Sequence, residues 1–233
     1  MIVDDDDDDD DCQKLNEITD DPITKTRLNQ LRIEGNSFEK GFRLDKNPSN
    51  NQYQPTPLLE SASGTNHINL RVNAYTAVAA HSHTDNVFYK MFSGKDILQM
   101  GLIGHYINNT ADTTLQPLEI TMMLVFEFST GADKAFALRF DDIESFNNLV
   151  SIRNDKLKRD EFDDDLEEAY NEDYDPITNL SNTDIYKQQR HIFNLLENYN
   201  LNISLYEANF DSNGLVDNWQ KINKNSLDKE PCN

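Results

Sequence analysis

The sequence predicts an α+β fold, in which a mixed, mostly antiparallel sheet is flanked by helices in an α/β/α-like arrangement. Short apolar runs with the two-residue period of strands alternate with longer runs that have the period of helices. Two strand-like runs, at 118–128 and 134–140, enclose a glycine-containing segment and predict an antiparallel hairpin. With 233 residues, the chain is long enough to bury a substantial core.

The first third of the chain contains one clear helix start. Asp21 precedes Pro22, and this pair is typical of an N-cap followed by the first helical position. Gly35 is expected to end this helix. The following segments are interpreted as a strand at 37–44, a loop at 45–66, a second strand at 68–72 and a central strand at 76–81.

The rest of the chain continues the alternation of helices and strands. A helix is expected at 94–107, before the hairpin, and another begins near Asp141. The apolar face of the hairpin is interpreted as core rather than as a substrate groove. The C-terminal part predicts an amphipathic helix at 184–200 and a last strand at 203–208, with Trp219 and Ile222 anchoring the tail.

The net charge of −21 is unevenly distributed. Residues 4–11 are all aspartate, and residues 160–175 contain ten acidic residues and no Lys or Arg. We expect residues 1–11 to be disordered and residues 154–180 to form an acidic linker or an exposed helix. Because the chain offers no concentrated cationic face, we expect no nucleic-acid partner.

These divisions leave a main domain at 12–153 and a C-terminal helix–strand extension at 181–233 that packs on it. No apolar run is long enough for a membrane span. The chain starts directly with aspartates after three residues and without a signal peptide, which suggests that the numbering begins inside a longer protein or in a linker. Cys12 and Cys232 are the only cysteines, and they form either one terminus-to-terminus disulfide or no significant pair, so the compartment stays open.

The most informative stretch is 76–96. A small apolar run delivers His81 and His83, which are separated by one residue, so both imidazoles point to one face of an extended strand. A loop then leads to Ser93 and Asp96 at the start of a helix. Two imidazoles and one carboxylate, with an open fourth position, form the ligand set that a hydrolytic zinc ion needs.

Each half of this stretch also has a purely structural interpretation. A His-x-His pair is compatible with two solvated loop histidines, and Ser93-x-x-Asp96 before an apolar run is also a helix capping box. The order strand, His-x-His, loop, Ser-x-x-Asp, helix favours a metal site, and a serine can cap the helix beside it. His67 is interpreted as a loop residue, His105 as exposed and Asp85 as solvated.

The order His81-Ser-His83, then Ser93-x-x-Asp96, resembles the JAMM motif of JAB/MPN-type metallopeptidases, which runs Glu, then His-Ser/Thr-His-Pro, then Ser-x-x-Asp. Thr84 stands where that family usually has Pro, and nine residues separate the second histidine from the serine, more than is usual. The Phe before this serine and the closing Pro-Cys-Asn resemble JAB-like proteins of Bacteroidetes-type bacteria. The resemblance covers roughly residues 12–150.

This resemblance implies that residues 12–153 form a JAB/MPN-like domain in which His81, His83 and Asp96 hold Zn²⁺. It implies that the Ser93 hydroxyl donates a hydrogen bond to the oxyanion that forms during hydrolysis.

The family's catalytic glutamate lies on an early strand, often a few residues before a glycine. Glu39, followed by Gly41, matches this pattern and is the expected general base. Glu34 and Glu60 are competing candidates, and Glu39 ranks first because of the glycine and of its place in a strand.

Three hypotheses about function follow. The first is a zinc-dependent peptide or isopeptide hydrolase of JAMM type, which acts on a peptide or protein substrate. The second is a catalytically inactive JAB/MPN-like binding or scaffold module, favoured by the missing Pro, the longer loop and the open choice of glutamate. The third is the C-terminal part of a larger secreted or effector protein, with the aspartate run as a linker. The sequence leaves the substrate and the oligomeric state open.

Overall fold

The computed structural model describes residues 6–35, 38–62, 68–84, 90–126, 133–172 and 185–232. In these ranges the chain has the α+β class predicted above. The helices are α1 (Asp6–Asp20), α2 (Pro22–Glu34), α3 (Gly94–Asn108), α4 (Ile143–Asn154), α5 (Lys156–Glu172) and α6 (Ile185–Asn198). The strands are β1 (Lys40–Lys46), β2 (Tyr53–Pro55), β3 (Leu59–Glu60), β4 (Thr76–Ser82), β5 (Thr121–Phe126), β6 (Lys134–Phe140), β7 (Ile203–Phe210), β8 (Val216–Ile222) and β9 (Lys229–Pro231).

These strands form one open sheet in the order β2-β1-β4-β5-β6-β7-β8-β9, with β3 paired to β1. Neighbours are antiparallel except β4 and β5, which run parallel. A parallel pair needs a crossover connection, and here the crossover carries α3. The predicted hairpin is confirmed as the antiparallel pair β5–β6, although residues 127–132, which contain most of its turn, lie outside the described residues.

Helices cover both faces of the sheet at the end of β4. Ser82 faces the end of α2, because a Cβ built on Gly35 would clash with the Ser82 side chain. Its neighbours His81 and His83 therefore point to the opposite face, where α3 supplies Asp96. Every residue of β4 is buried, as expected for a strand with helices on both sides.

Three helix starts follow from their sequences. Asp21 caps α2 by accepting hydrogen bonds from the backbone N–H groups of the next turn, and Gly35 ends that helix as predicted. Asp142 caps α4 in the same way. Ser93 and Asp96 form a reciprocal capping box at the start of α3. Each cap satisfies donors that a helix leaves unpaired at its first turn.

The prediction that residues 1–11 are disordered is wrong for residues 6–11, which form the first turns of α1; residues 1–5 lie outside the described residues. Aspartates at a helix N-terminus are stabilised by the helix dipole. The rest of α1 is fixed to the sheet because Leu15 and Ile18 are buried and Trp219 of β8 donates a hydrogen bond to Thr19.

The predicted strand at 68–72 is wrong, since this segment has no strand pairing. Arg71 has a φ of 48°, in the left-handed region, which an extended strand does not use. The Arg43 guanidinium donates hydrogen bonds to the carbonyl oxygens of Leu70 and Arg71, so a side chain satisfies these groups in place of a neighbouring strand. The predicted loop at 45–66 also contains two short strands, β2 and β3.

The C-terminal part is more regular than expected. Residues 156–172 form the helix α5, which buries Phe162, Leu166 and Tyr170 along one stripe and is exposed elsewhere. Beyond β7, two further strands, β8 and β9, continue the sheet. Trp219 and Ile222 lie on β8 and are buried, so they anchor this part of the chain as predicted.

Cys12 on α1 and Cys232 after β9 form a disulfide with their Cα atoms 5.1 Å apart. This bond joins the first helix to the last strand region across 220 residues of sequence. In the ranges that the structure describes, no helix is both long and apolar enough to cross a membrane.

Candidate metal centre

The two motif histidines lie at the end of β4, with their imidazoles turned toward one point. His81 is in the strand and is 2% exposed, and His83 follows the strand and is 7% exposed. Their Nε2 atoms are 3.2 Å apart. Because one residue separates them, the strand period brings both rings to the same face, as the sequence predicted.

Asp96 completes the cluster from the first turn of α3. Its Oδ1 lies 3.3 Å from the His81 Nε2, and its Oδ2 lies 3.5 Å from the His83 Nε2. The Ser93 hydroxyl and backbone N–H both donate to Asp96 Oδ2 at 2.8 Å. The capping box therefore has two roles in this structure, since it starts the helix and fixes the carboxylate against the imidazoles.

The spacing of these donor atoms suits a tetrahedral metal ion. Ligand atoms at 2.0–2.1 Å from a tetrahedral zinc are separated from each other by about 3.3 Å. The three separations measured here, 3.2, 3.3 and 3.5 Å, have this size. Within the described residues, His81, His83 and Asp96 are the group of potential ligands that converges in this way, and all three are buried.

The charge state of Asp96 is also suited to a cation. Burial by itself would raise its pKa, but the charge and hydrogen bond of His81, together with His83, lower the pKa well below the ordinary value. The carboxylate is thus kept ionised in a buried place by its imidazole neighbours. A divalent cation in the same position would stabilise that ionised state in the same way.

Glu39 lies beside this cluster, immediately before β1. The pairing of β1 with β4 places Gly41 opposite His81, and the same register continued by two residues brings Glu39 opposite His83. Glu39 is 4% exposed, and its Oε2 accepts a hydrogen bond of 3.1 Å from the backbone N–H of Ile68. The structure therefore brings the first-ranked glutamate to the side of the three potential ligands.

The two competing glutamates lie elsewhere. Glu34 and Glu60 both form ion pairs with Lys40, at 2.9 and 3.2 Å. Lys40 directly follows Glu39, and successive side chains of a strand point to opposite faces. The ion pairs of Lys40 therefore lie on the other face of β1 from the three potential ligands.

The pKa of Glu39 is raised to about 7, chiefly by burial. The charge of His83 acts in the opposite direction and lowers it, whereas the negative charge of Asp96 adds to the increase. A carboxyl group whose pKa is near neutrality is suited to accept a proton and to release it again.

Gly41 keeps space open next to His81. A Cβ at this position would lie 2.7 Å from the Ala80 carbonyl oxygen, 2.8 Å from Leu70 and 3.2 Å from the His81 Cβ. These distances are shorter than ordinary contacts, so any side chain here would displace the strand that carries His81. A glycine two residues after Glu39 is therefore required here, because a larger residue would clash with the strand that carries His81.

The loop that carries Ser93 is held by the C-terminal helices. Tyr170 of α5 donates a hydrogen bond of 2.9 Å to the carbonyl oxygen of Phe92, and Gln188 of α6 accepts one from the backbone N–H of Lys90. Lys95 forms an ion pair with Asp163 of α5. No local pattern of residues indicates these contacts, because they join segments far apart in the chain.

A cavity of about 470 Å³ opens next to Asp96 and is lined by α3, by the corner between α4 and α5 and by residues 68–69. Arg153 and Arg159 lie in its wall. Sequence reasoning did not single out either arginine, since their approach to α3 depends on helix packing. His67, interpreted above as a loop residue, and Asp85, interpreted as solvated, lie outside the described residues. His105 is at the other end of α3 from the cluster.

Comparisons of the chain with protein-family models, curated proteins and solved structures gave no match. The resemblance to the JAMM motif therefore remains a prediction from the sequence. What the structure adds is the convergence of two histidines and one aspartate into a buried group with the geometry of a metal site.

Proposed function

We propose that the protein is a zinc-dependent hydrolase of peptide or isopeptide bonds, of JAMM type. The observation that carries the proposal is the convergence of His81, His83 and Asp96 at tetrahedral spacing beside the buried carboxyl group of Glu39. Three protein ligands leave a fourth position for water or substrate, which distinguishes catalytic zinc sites from structural ones.

In this proposal, His81, His83 and Asp96 hold the metal and Glu39 moves the proton. A bound zinc ion would acidify water and polarise the carbonyl group of the substrate. Glu39 accepts the proton of the attacking water and delivers it to the leaving amine, a transfer suited to a group with a pKa near 7.

Ser93 has two roles to distinguish. The resemblance implies that its hydroxyl donates to the oxyanion, and this donation is part of the proposal. In the structure the same hydroxyl donates to Asp96 Oδ2, so it orients a proposed metal ligand. Because a serine hydroxyl has one donor hydrogen, it would donate to the oxyanion only after it releases Asp96. Hydrogen bonds of this kind typically adjust metal affinity by about 10–100-fold.

The first test is the metal content. Protein purified with added zinc and then dialysed should retain one zinc ion per chain by elemental analysis, because three convergent donors are present. His83→Ala should lose the ion, whereas His105→Ala, which removes a histidine remote from the cluster, should retain it. Equal, near-zero zinc in the wild type and in His83→Ala would contradict the proposal.

The second test concerns the base. Glu39→Gln should retain zinc but lower hydrolysis of a mixed peptide library by about 10²–10⁴-fold, the usual contribution of a general base. Cleavage is followed by mass spectrometry of newly formed termini. Glu34→Gln, which changes the glutamate on the other face of β1, is the matched control and should cleave normally. Full activity of Glu39→Gln would remove Glu39 from the mechanism.

A catalytically inactive binding or scaffold module is the alternative. Thr84 in place of the family's proline and the longer loop before Ser93 favour it. It predicts that the wild type binds zinc weakly or not at all. It also predicts that the wild type, Glu39→Gln and Glu34→Gln all cleave no peptide in the library. The zinc measurement therefore separates the two functions before any substrate is known.

A further inference from the structure

The cavity beside Asp96 has an unusual charge distribution. Its wall contains three cationic side chains, from Lys95, Arg153 and Arg159, in a protein whose net charge is −21. Lys95 forms an ion pair with Asp163 at 3.3 Å, and Arg159 forms one with Asp160 at 3.2 Å. The charges of these two residues are thus already balanced within the wall.

Arg153 is different. It makes no hydrogen bond or ion pair with any other residue in the described ranges, although it is half-buried at the end of α4. Burial, and then the positive charge of Arg159, lower its pKa from the ordinary value. A guanidinium that is partly desolvated, unpaired and next to a second cation is stabilised by a bound anion.

Arg153 and Asp96 line the same cavity, so the arginine lies on the side of α3 that leads to the candidate metal centre. Its Cβ approaches α3 at Gly101, where a built Cβ would lie 3.0 Å away. Gly101 is five residues from Asp96, which corresponds to roughly 7.5 Å along the helix axis. An extended peptide covers this length in two to three residues at about 3.3–3.6 Å each.

The acidic residues of the wall limit the kind of anion. Asp96, Asp160 and Asp163 line the same cavity as the arginines. A doubly charged phosphate would meet these carboxylates, whereas a single carboxylate fits the planar guanidinium with two parallel hydrogen bonds.

We propose that Arg153 binds a carboxylate of the substrate, so that the enzyme prefers peptides with an acidic group about two to three residues from the cleaved bond. This inference rests on the proposed hydrolase function and extends it to a substrate class. The carboxylate comes either from the end of a peptide chain or from an Asp or Glu side chain, and both present the same chemistry to the guanidinium.

Two pairs of short peptides test this proposal by binding alone. Acetyl-Ala-Ala is compared with its C-terminal amide, and acetyl-Ala-Glu-amide with acetyl-Ala-Gln-amide. Affinities are measured by NMR titration with and without added zinc. In at least one pair the acidic member should bind about tenfold more tightly, the effect of one charge-assisted contact. The pair that shows the preference identifies the source of the carboxylate.

Variants locate the effect. Arg153→Gln should abolish the preference for the acidic peptide, and Arg153→Lys should retain part of it as a point charge without the planar fork. Lys158→Gln is the matched control, because it removes one exposed positive charge from α5 outside the cavity. A thermal melt of each variant verifies folding.

The proposal is overturned if neither acidic peptide is preferred by the wild type up to the solubility of the probes, or if Arg153→Gln keeps the preference. Because Arg153 does not depend on the metal, the preference should also be present without zinc. A protein that prefers acidic peptides but binds no zinc and cleaves no peptide would contradict the hydrolase function. The inference that the cavity binds a carboxylate would then still stand. A protein that binds zinc and cleaves neutral and acidic peptides equally would contradict this inference alone.

Discussion

Glu39 is an acidic side chain that the fold buries without an ion-pair partner among the described residues. It accepts one backbone hydrogen bond from Ile68, and its pKa of about 7 shows that ionisation is disfavoured at this place. A buried carboxyl group of this kind costs stability above its unfolded pKa, and such costs are typical of functional sites. At this residue, function and stability have opposite requirements.

The stability of the metal-free protein should therefore show this cost. The folded pKa of Glu39 lies above the unfolded value of 4.5, so the folded state binds the proton more tightly. Its contribution to the free energy of unfolding is favourable at low pH and is lost as the pH rises from 4.5 through about 7. Glu39→Gln should then be more stable than the wild type at pH 8, by up to about 3 kcal/mol.

Urea unfolding of both proteins between pH 4 and pH 8, in a chelator, measures this difference. Glu34→Gln, which changes an ion pair at the surface, should show no comparable rise with pH. A constant difference between Glu39→Gln and the wild type across this range would contradict the assigned pKa. Added zinc should reduce the difference, because a nearby cation stabilises the ionised carboxylate.

Ser93→Ala separates the two roles of that serine. Loss of the hydrogen bond to Asp96 should weaken zinc binding by about tenfold, and loss of the N-cap should lower stability by about 1 kcal/mol. A competition assay with a zinc indicator measures the first effect and urea unfolding the second. If the hydroxyl serves only the oxyanion, zinc affinity should be unchanged while the maximal rate falls.

At the scale of elements, the C-terminal strands are joined to the hairpin by a buried carboxylate. Glu207 of β7 is 3% exposed and accepts hydrogen bonds from Lys134 of β6 and Lys229 of β9, both at 2.7 Å. Burial by itself would raise the pKa of Glu207, but the two lysines lower it below the ordinary value. One side chain thus ties three strands together.

This arrangement has a definite pH dependence. Because the folded pKa of Glu207 is below the unfolded value of 4.5, its contribution is complete above pH 4.5 and is lost as the pH falls through the folded pKa. Glu207→Gln should lower the free energy of unfolding at pH 7 by about 1–3 kcal/mol, the range for hydrogen bonds to charged groups. The difference from the wild type should shrink below pH 4.5 in urea unfolding, whereas the exposed Glu230→Gln should behave like the wild type at both pH values.

The elements that could be predicted from the sequence are those with local signals. Each of these signals is contained in a few adjacent residues. They are the helix caps at Asp21 and Ser93, the apolar run of β4 and the two-residue period of the hairpin, and the structure contains all of them. The cluster of potential metal ligands was predictable for the same reason, because strand period and helix start together fix the positions of its three members.

The missed elements depend on distant contacts. The segment at 68–72 has a strand-like composition, but Arg43 satisfies its carbonyl groups and Arg71 takes a left-handed conformation. The first turns of α1 contain only aspartates, so they show no apolar period that would predict a helix. The helix is held in place by Trp219, some 200 residues away in sequence. Arg153 belongs to the same group, since only packing of α4 on α3 brings it to the cavity beside Asp96.

At the scale of the whole molecule, a chain with a net charge of −21 is closed by a disulfide. Acidic residues concentrated in α1 and α5 repel each other and oppose compaction. The bond between Cys12 and Cys232 closes a loop of 220 residues and restricts the unfolded chain instead. In the chain-entropy model, closing so long a loop contributes about 5 kcal/mol, although measured values for disulfides usually lie at about 2–4 kcal/mol.

Removing this bond should therefore have a large effect on stability and a small one on zinc binding. Cys232→Ser, or the wild type in dithiothreitol, should unfold at a lower urea concentration, with a loss of about 2–5 kcal/mol. Dithiothreitol should not destabilise Cys232→Ser any further, which controls for effects of the reductant. Two thiols that react with Ellman's reagent in the native, unreduced protein would contradict the pairing.

The closeness of Cys12 and Cys232 has a consequence for the topology of the chain. With 5.1 Å between their Cα atoms, a short peptide joining these two places would turn the backbone into a ring without moving the sheet. Such a ring can be opened at the exposed turn between Ser49 and Asn50, where cutting the chain removes no buried contact. The resulting circular permutant should assemble the same cluster of His81, His83 and Asp96, because β4 and α3 remain continuous in it.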